Sequence, residues 1–201
     1  MCLFSEGAEM SMEIETHPFE PFLPAHARLL MLGTFPPAPK RWCMEFYYPN
    51  FQNDMWRIFG IAFFNDKNHF VLQEKKTFDL DAIIPFLKEK GIAIFDTAKR
   101  IRRTKNTASD KDLDIVETSD IDGMLRQLKD LKAVVTAGQL ATSVFARHVG
   151  IREPKVGTYV EFPFEGRSIQ LYRMPSSSRA YPMSVEKKAA IYLPMFEQII
   201  L

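Results

Sequence analysis

Residues Met31–Trp56 read MLGTFPPAPKRWCMEFYYPNFQNDMW, and the reading of this stretch decides the fold. An apolar run ends at Gly33. Two successive prolines, Pro36 and Pro37, then break regular structure, because neither supplies a backbone donor. Phe46, Tyr47 and Tyr48 follow, with Asn50 and Asn53 close behind, and Asn53 or Asp54 is placed to cap a helix carrying Met55, Trp56, Ile58 and Phe59. A loop this rich in proline and aromatic rings is stiff and flat-walled, which suits a planar ligand.

Outward from that loop, strands alternate with helices. Arg28–Leu32 reads as a buried strand ending at Gly33, and Ile92–Phe95 and Ala133–Ala137 as two more, ending at Asp96 and Gly138. Asp79–Lys90 is a helix with Ile83, Ile84 and Leu87 on one face and Gly91 as its stop; Pro85 fits there only within a first turn. A helix is expected to open at Ser119, another over Gln139–Val149, and a last one from about Ser184, kinked or restarted at Pro194. Thr158–Phe162 and Ser168–Tyr172 flank Phe164-Glu165-Gly166 as a hairpin or an extension. Residues 1–16 read as a loosely held acidic start and the first 24 as an extended segment. The alternation predicts one α/β domain over residues 1–201, a three-layer α/β/α sandwich around a short, mostly parallel sheet. Ligands then bind at the carboxyl ends of the strands, in the loops after Leu32, Phe95, Ala137 and Tyr172.

Composition narrows the function. A net charge of +1 excludes an overall basic protein, so any nucleic-acid contact must be a local patch. Two cysteines, Cys2 and Cys43, cannot frame a disulfide scaffold, and both are expected to stay reduced in a cytoplasmic protein. No apolar run approaches the roughly 18 residues needed to span a bilayer. The four histidines, His17, His26, His69 and His148, are far apart in sequence, with no metal-ligand spacing, so no metal is expected. No phosphate-binding glycine loop and no G-x-S-x-G elbow appear.

Three loops carry chemistry, each with a plainer alternative. Tyr48 can stack on a base and Asn50 and Asn53 can read its edge, or the tyrosine packs on the core and the asparagines cap turns. Lys99, Arg100, Arg102 and Arg103 can neutralise backbone phosphates, or form a solvated surface balanced by the acidic residues from Asp110 to Asp122. Ser176, Ser177, Ser178 and Arg179 can grip a phosphate, or make a serine-rich turn before the final helix.

LGTFPP at Leu32–Pro37 with YYPNFQNDMW at Tyr47–Trp56 resembles the first motif of the uracil-DNA glycosylase superfamily. The nearest likeness is to its mismatch-specific and hypoxanthine-DNA glycosylase branches. GIAIFDTAKR at Gly91–Arg100, with the segment from Ala108 to Asp112, resembles their second strand and its loop, and RMPSSSRAY at Arg173–Tyr181 their last motif. The resemblance spans about Leu30 to Leu201. It implies base-excision activity on double-stranded DNA carrying a damaged or mismatched base, with hypoxanthine or uracil as the target. It makes Tyr48 the stacking aromatic, Asn53 the catalytic residue and the serines a phosphate-contacting loop. Phe35 stands where many relatives have a catalytic Asn or Asp, Pro37 replaces a glycine, and Met174 replaces a histidine.

The expected mechanism flips the base out of the duplex and passes through a sugar of oxocarbenium character. Asn53 stabilises the departing base or orients the water, helped by loop amides near Thr34 and Phe35, while Tyr48 and Phe35 sandwich the ring. No cofactor is required and a monomer suffices. The alternatives are a non-catalytic nucleic-acid or nucleotide-binding relative and a nucleoside-cleaving enzyme that never meets DNA.

Overall fold

A computed structural model describes residues 13–105, 107 and 109–201. The acidic start over residues 1–12, with Cys2, and Ala108 of the second motif lie outside the described residues. The chain runs β1 (Ile14–Thr16), β2 (Leu29–Gly33), α1 (Met55–Phe64), β3 (Val71–Leu72), β4 (Thr77–Phe78), α2 (Leu80–Lys90), β5 (Ile92–Asp96) and β6 (Ala98–Arg103). It continues β7 (Leu113–Thr118), α3 (Ile121–Gln127), β8 (Ala133–Ala137), α4 (Gln139–Val149), β9 (Thr158–Phe164), β10 (Arg167–Met174) and α5 (Val185–Ile199).

Five strands form the central sheet in the order β5-β2-β8-β10-β9. The first four are parallel and β9 joins the edge antiparallel to β10. β2 and β5 are buried along their whole length, as expected of apolar strands with no polar alternation. Helices flank the sheet: α4 packs on β8, α2 on β5, and α5 on β10 and α1. Phe59, Phe63 and Phe196 close the α1–α5 contact with ring centroids 4.9–5.8 Å apart. The β9–β10 hairpin turns on Glu165 and Gly166, both at positive φ (46° and 80°), as a two-residue hairpin loop requires.

Several local expectations are corrected. Pro85 lies inside α2 beyond its first turn, because Asp79 caps the helix by accepting from the Ala82 amide at 3.1 Å. Pro194 neither ends nor restarts α5, which is assigned continuously over Val185–Ile199. Asp120, not Ser119, caps α3; the Ser119 hydroxyl instead donates to the Asp96 carbonyl at 2.7 Å. The basic and acidic segments after Asp96 are not loops. They pair as β6 and β7, and β1 joins β6 to complete a three-stranded antiparallel sheet. Residues 14–16 are thereby fixed in a strand rather than loose. Farther along, Phe22 and Ile94 exchange backbone hydrogen bonds at 2.9 and 3.0 Å, covering the outer edge of β5.

Candidate active site at the carboxyl ends of the strands

β2 and β5 end side by side, Gly33 opposite Asp96. A Cβ on Gly33 would lie 2.6 Å from Asp96 Oδ1, so glycine is what lets that carboxylate approach the strand end, and the Tyr48 hydroxyl stands in ordinary contact distance at 3.7 Å. Asp96 Oδ2 is bound by His17 Nε2 at 2.8 Å. The His17 side chain is almost fully buried, ringed by Phe19, Phe35, Tyr47 and Phe95 with centroids 4.6–6.1 Å away. Its other nitrogen meets the Phe19 backbone, so Nε2 is the proton-bearing atom toward the carboxylate. Asp96 Oδ1 is left facing Gly33.

Tyr48 is half-buried, and its buried hydroxyl has no hydrogen-bond partner. Burial, then the Asp96 charge, pushes its pKa well above the ordinary tyrosine value, so the hydroxyl keeps its proton and is an unused donor. Its backbone sits at φ 52°, a left-handed conformation that is costly for a bulky side chain. Such strain at a buried, unsatisfied group marks a site shaped for something other than packing.

Thr34, the residue after Gly33, donates its hydroxyl to Asp110 Oδ2 at 2.8 Å. Asp110 comes from the connection between β6 and β7. Its carboxyl is pushed up to about 6 by burial, with Asp96 adding repulsion against the opposing effects of the Thr34 hydrogen bond and Arg103. A Cβ on Gly138, after β8, would lie 3.9 Å from both Asp110 Oδ2 and Ser176 Cβ. The ends of β2, β5, β8 and β10 thus meet around two carboxylates and one tyrosine.

The walls are braced. The Trp42 indole donates to the Pro37 carbonyl and Arg103 to the Pro36 carbonyl, each at 2.7 Å, which fixes the proline loop. The Arg103 guanidinium also lies 5.7 Å from the Phe35 ring centroid and binds Glu15 at 2.8 Å. The last loop is tied to the first through Asp54, whose amide donates to the Ser177 carbonyl at 2.9 Å. The Asp54 carboxylate takes the fully buried Lys188 at 2.9 Å and Arg179 at 3.4 Å. Lys188 also donates to the Ser178 carbonyl at 2.8 Å.

The residues expected from sequence do not all meet at this cluster. Thr34, Phe35 and Tyr48 line the strand-end cluster, and Ser176 reaches it. Asn53 and Asn50 have their carboxamide oxygens engaged by backbone amides, Asn53 with Met55 at 2.9 Å and Asn50 with Gln52 at 3.0 Å. The oxygen that would orient a water from Asn53 therefore serves the start of α1. Ser176 and Ser178 accept from the Ser178 and Ala180 amides at 3.2 Å, which leaves both hydroxyl hydrogens free to donate. Ser177 is buried. In the basic stretch, Lys99 and Arg100 face Glu117 at 2.9 and 3.6 Å, and Arg102 faces Asp114 at 3.5 Å. Arg103 is the brace already described.

Sequence reading did not single out Asp96, His17 or Asp110 as functional residues. Asp96 had a usable signal, a carboxylate directly after four buried apolar residues at a parallel strand end. Asp110 lay within the Ala108–Asp112 segment of the second motif but was given no role, and His17 had no signal, because only the antiparallel sheet brings its segment in.

No protein-family model matches the chain, and no curated protein matches it in sequence. Among solved structures it is similar to a candidate uracil DNA glycosylase from Methanosarcina acetivorans, determined in solution by NMR. The TM-score is 0.58 at 21% identity, over 91% of this chain and 99% of that one. The likeness shows a shared fold, the α/β arrangement of uracil-DNA-glycosylase type with a mostly parallel sheet between helices.

Proposed function

We propose that this chain is a monofunctional DNA glycosylase that hydrolyses the N-glycosidic bond of a flipped, deaminated base in double-stranded DNA. One observation carries the reading. A buried acceptor, Asp96 Oδ1, and a buried unused donor, the Tyr48 hydroxyl, both lie near the Gly33 strand end, with Asp96 Oδ1 in the space a Cβ would take. An acceptor next to a donor matches an imino N–H next to a carbonyl, the edge that hypoxanthine presents at N1 and C6 and uracil at N3 and C4. Adenine and cytosine present the reverse, a bare ring nitrogen beside an amine, and would turn a lone pair toward the carboxylate. A site that pairs polar groups rejects a ligand that leaves them unpaired far more strongly than an apolar pocket can.

Hydrolysis follows from the second carboxylate. As the glycosidic bond lengthens, positive charge grows on the sugar, and Asp110 is the carboxylate that would stabilise it. Asp110, titrating near 6, is mostly ionised at neutral pH yet basic enough to take the proton of a water adding at C1′. The base leaves with the bonding pair. Phe35 and the Tyr48 ring would supply the slot walls, the free hydroxyl hydrogens of Ser176 and Ser178 meet backbone phosphates, and the amide nitrogen of Asn53 remains as a further donor.

The test is a panel of duplexes carrying uracil, hypoxanthine or xanthine opposite each normal base, with undamaged guanine and thymine included because they share the imino–carbonyl edge. Alkali-sensitive abasic sites at the deaminated bases are expected. Duplex binding without abasic product would make the protein a non-catalytic relative, and turnover of free nucleosides alone would remove DNA from its function.

A further inference from the structure

A cavity of about 580 Å³ lies between α1, the β3–β4 hairpin and the first turn of α5, and none of the strand-end residues lines it. Arg57, Arg179 and Lys67 do, together with the carboxylates Asp54 and Glu186. Arg57 is held in place rather than free. Its Nη1 donates to the Phe51 and Asn53 carbonyls at 2.8 and 3.0 Å, and its guanidinium lies 4.9 and 5.3 Å from the Phe51 and Phe78 ring centroids. Its other nitrogens have no protein acceptor among the described residues. Arg179 spends one nitrogen on Asp54, and the second Asp54 oxygen is taken by Lys188. Lys67 meets Glu186 at 3.5 Å in an exposed pair, which is weak. Counting Lys188, four cations thus stand around two carboxylates.

We propose that this cavity holds a backbone phosphate of the DNA strand whose base enters the strand-end slot. The inference rests on the glycosylase reading for the identity of the strand. Burial and then the neighbouring charge of Arg179 lower the Arg57 pKa, so the two guanidinium groups repel each other, a cost that a bridging phosphate removes. Arg179 sits on the loop whose Ser176 reaches the slot, so one strand can follow that loop from slot to cavity. The amide end of the 15-residue α5 lines the same wall and favours an anion there.

The experiment is a salt titration of duplex affinity, by fluorescence anisotropy, for the wild type, R179Q, K67Q and the R179Q/K67Q double variant. Both side chains are half-exposed, and a thermal melt confirms folding. Losing one neutralised phosphate should lower the slope of log affinity against log salt by about 0.9, so the wild type's advantage shrinks about 3.5-fold between 50 and 200 mM salt. A single methylphosphonate linkage at the matching position should weaken the wild type similarly and add nothing to the double variant. Unchanged slopes in the variants of a wild type that binds duplex overturn this proposal and leave the glycosylase reading standing. A wild type that binds no duplex overturns both. Displacement of duplex by deoxyuridine or deoxyinosine 5′-monophosphate equally from wild type and double variant also overturns the assignment of the phosphate to this cavity.

Discussion

Replacing Asp110 by asparagine should make the protein more stable and less active, with a pH dependence set by burial. In the folded protein this carboxyl titrates near 6 against an ordinary 3.8. A group whose folded pKa lies above its unfolded value costs nothing below the unfolded pKa. The cost grows as pH rises toward and through 6, because the folded state must then give up a proton it holds more tightly. At 1.36 kcal/mol per pKa unit, the full cost is on the order of 3 kcal/mol once pH is well above 6. Asparagine keeps an oxygen to accept from Thr34 but carries no charge. The stability gap between Asp110→Asn and wild type, measured by urea denaturation from about pH 4 to pH 8, should therefore widen in the variant's favour by up to that amount. Abasic-site formation should fall by a factor of roughly 100 or more, the usual contribution of a positioned acid or base, and in the wild type it should rise with pH through about 6. A stability gap flat across pH would mean that the Asp110 charge costs nothing in the fold. Undiminished base release would remove it from the chemistry.

Three further perturbations separate support from function. Lys188→Met leaves the Asp54 carboxylate buried without its main partner and should cost about 3–5 kcal/mol, read by denaturation; adding Asp54→Asn should recover much of that loss, and a fully additive double variant would mean the two do not act as a pair. Asn53→Ala should cost about 1 kcal/mol of stability, as loss of a cap does, and slow base release less than Asp110→Asn; complete loss of release would return the catalytic role to Asn53. Arg103→Ala should destabilise the proline loop, visible as a lower melting temperature, whereas Arg102→Ala at its exposed pair should change stability by about 0.5 kcal/mol or less; equal effects would show that the brace is not one.

The central sheet was legible in the sequence because its strands are continuous apolar runs ending in Gly33, Asp96 and Gly138. At Phe164-Glu165-Gly166 the hairpin was one of two readings left open, and the helix over Gln139–Val149 was read at its observed bounds. The antiparallel sheet was not legible. On β6 the cations Lys99, Arg100, Arg102 and Arg103 read as a charge run because nothing in the sequence shows that Glu117, Asp114 and Glu15 stand opposite them. β7 did alternate, its residues half-buried and exposed in turn, but it was read only as an acidic stretch. The site suffers most from that miss. Tyr48, Thr34 and Ser176 were found inside recognisable motifs and Asp110 lay in one without being given a role, whereas His17 depends on a contact between remote segments, which spacing does not encode.

The fastenings of this site join distant residues: His17 with Asp96, 79 positions apart, and Asp54 with Lys188, 134 apart. Long loops must close before any of them forms, so the slot is among the last parts of the molecule to be completed. A chain still emerging from the ribosome has its apolar strands well before it has Lys188. Until that helix arrives, the loop after β10 lacks the cation that ties it to Asp54.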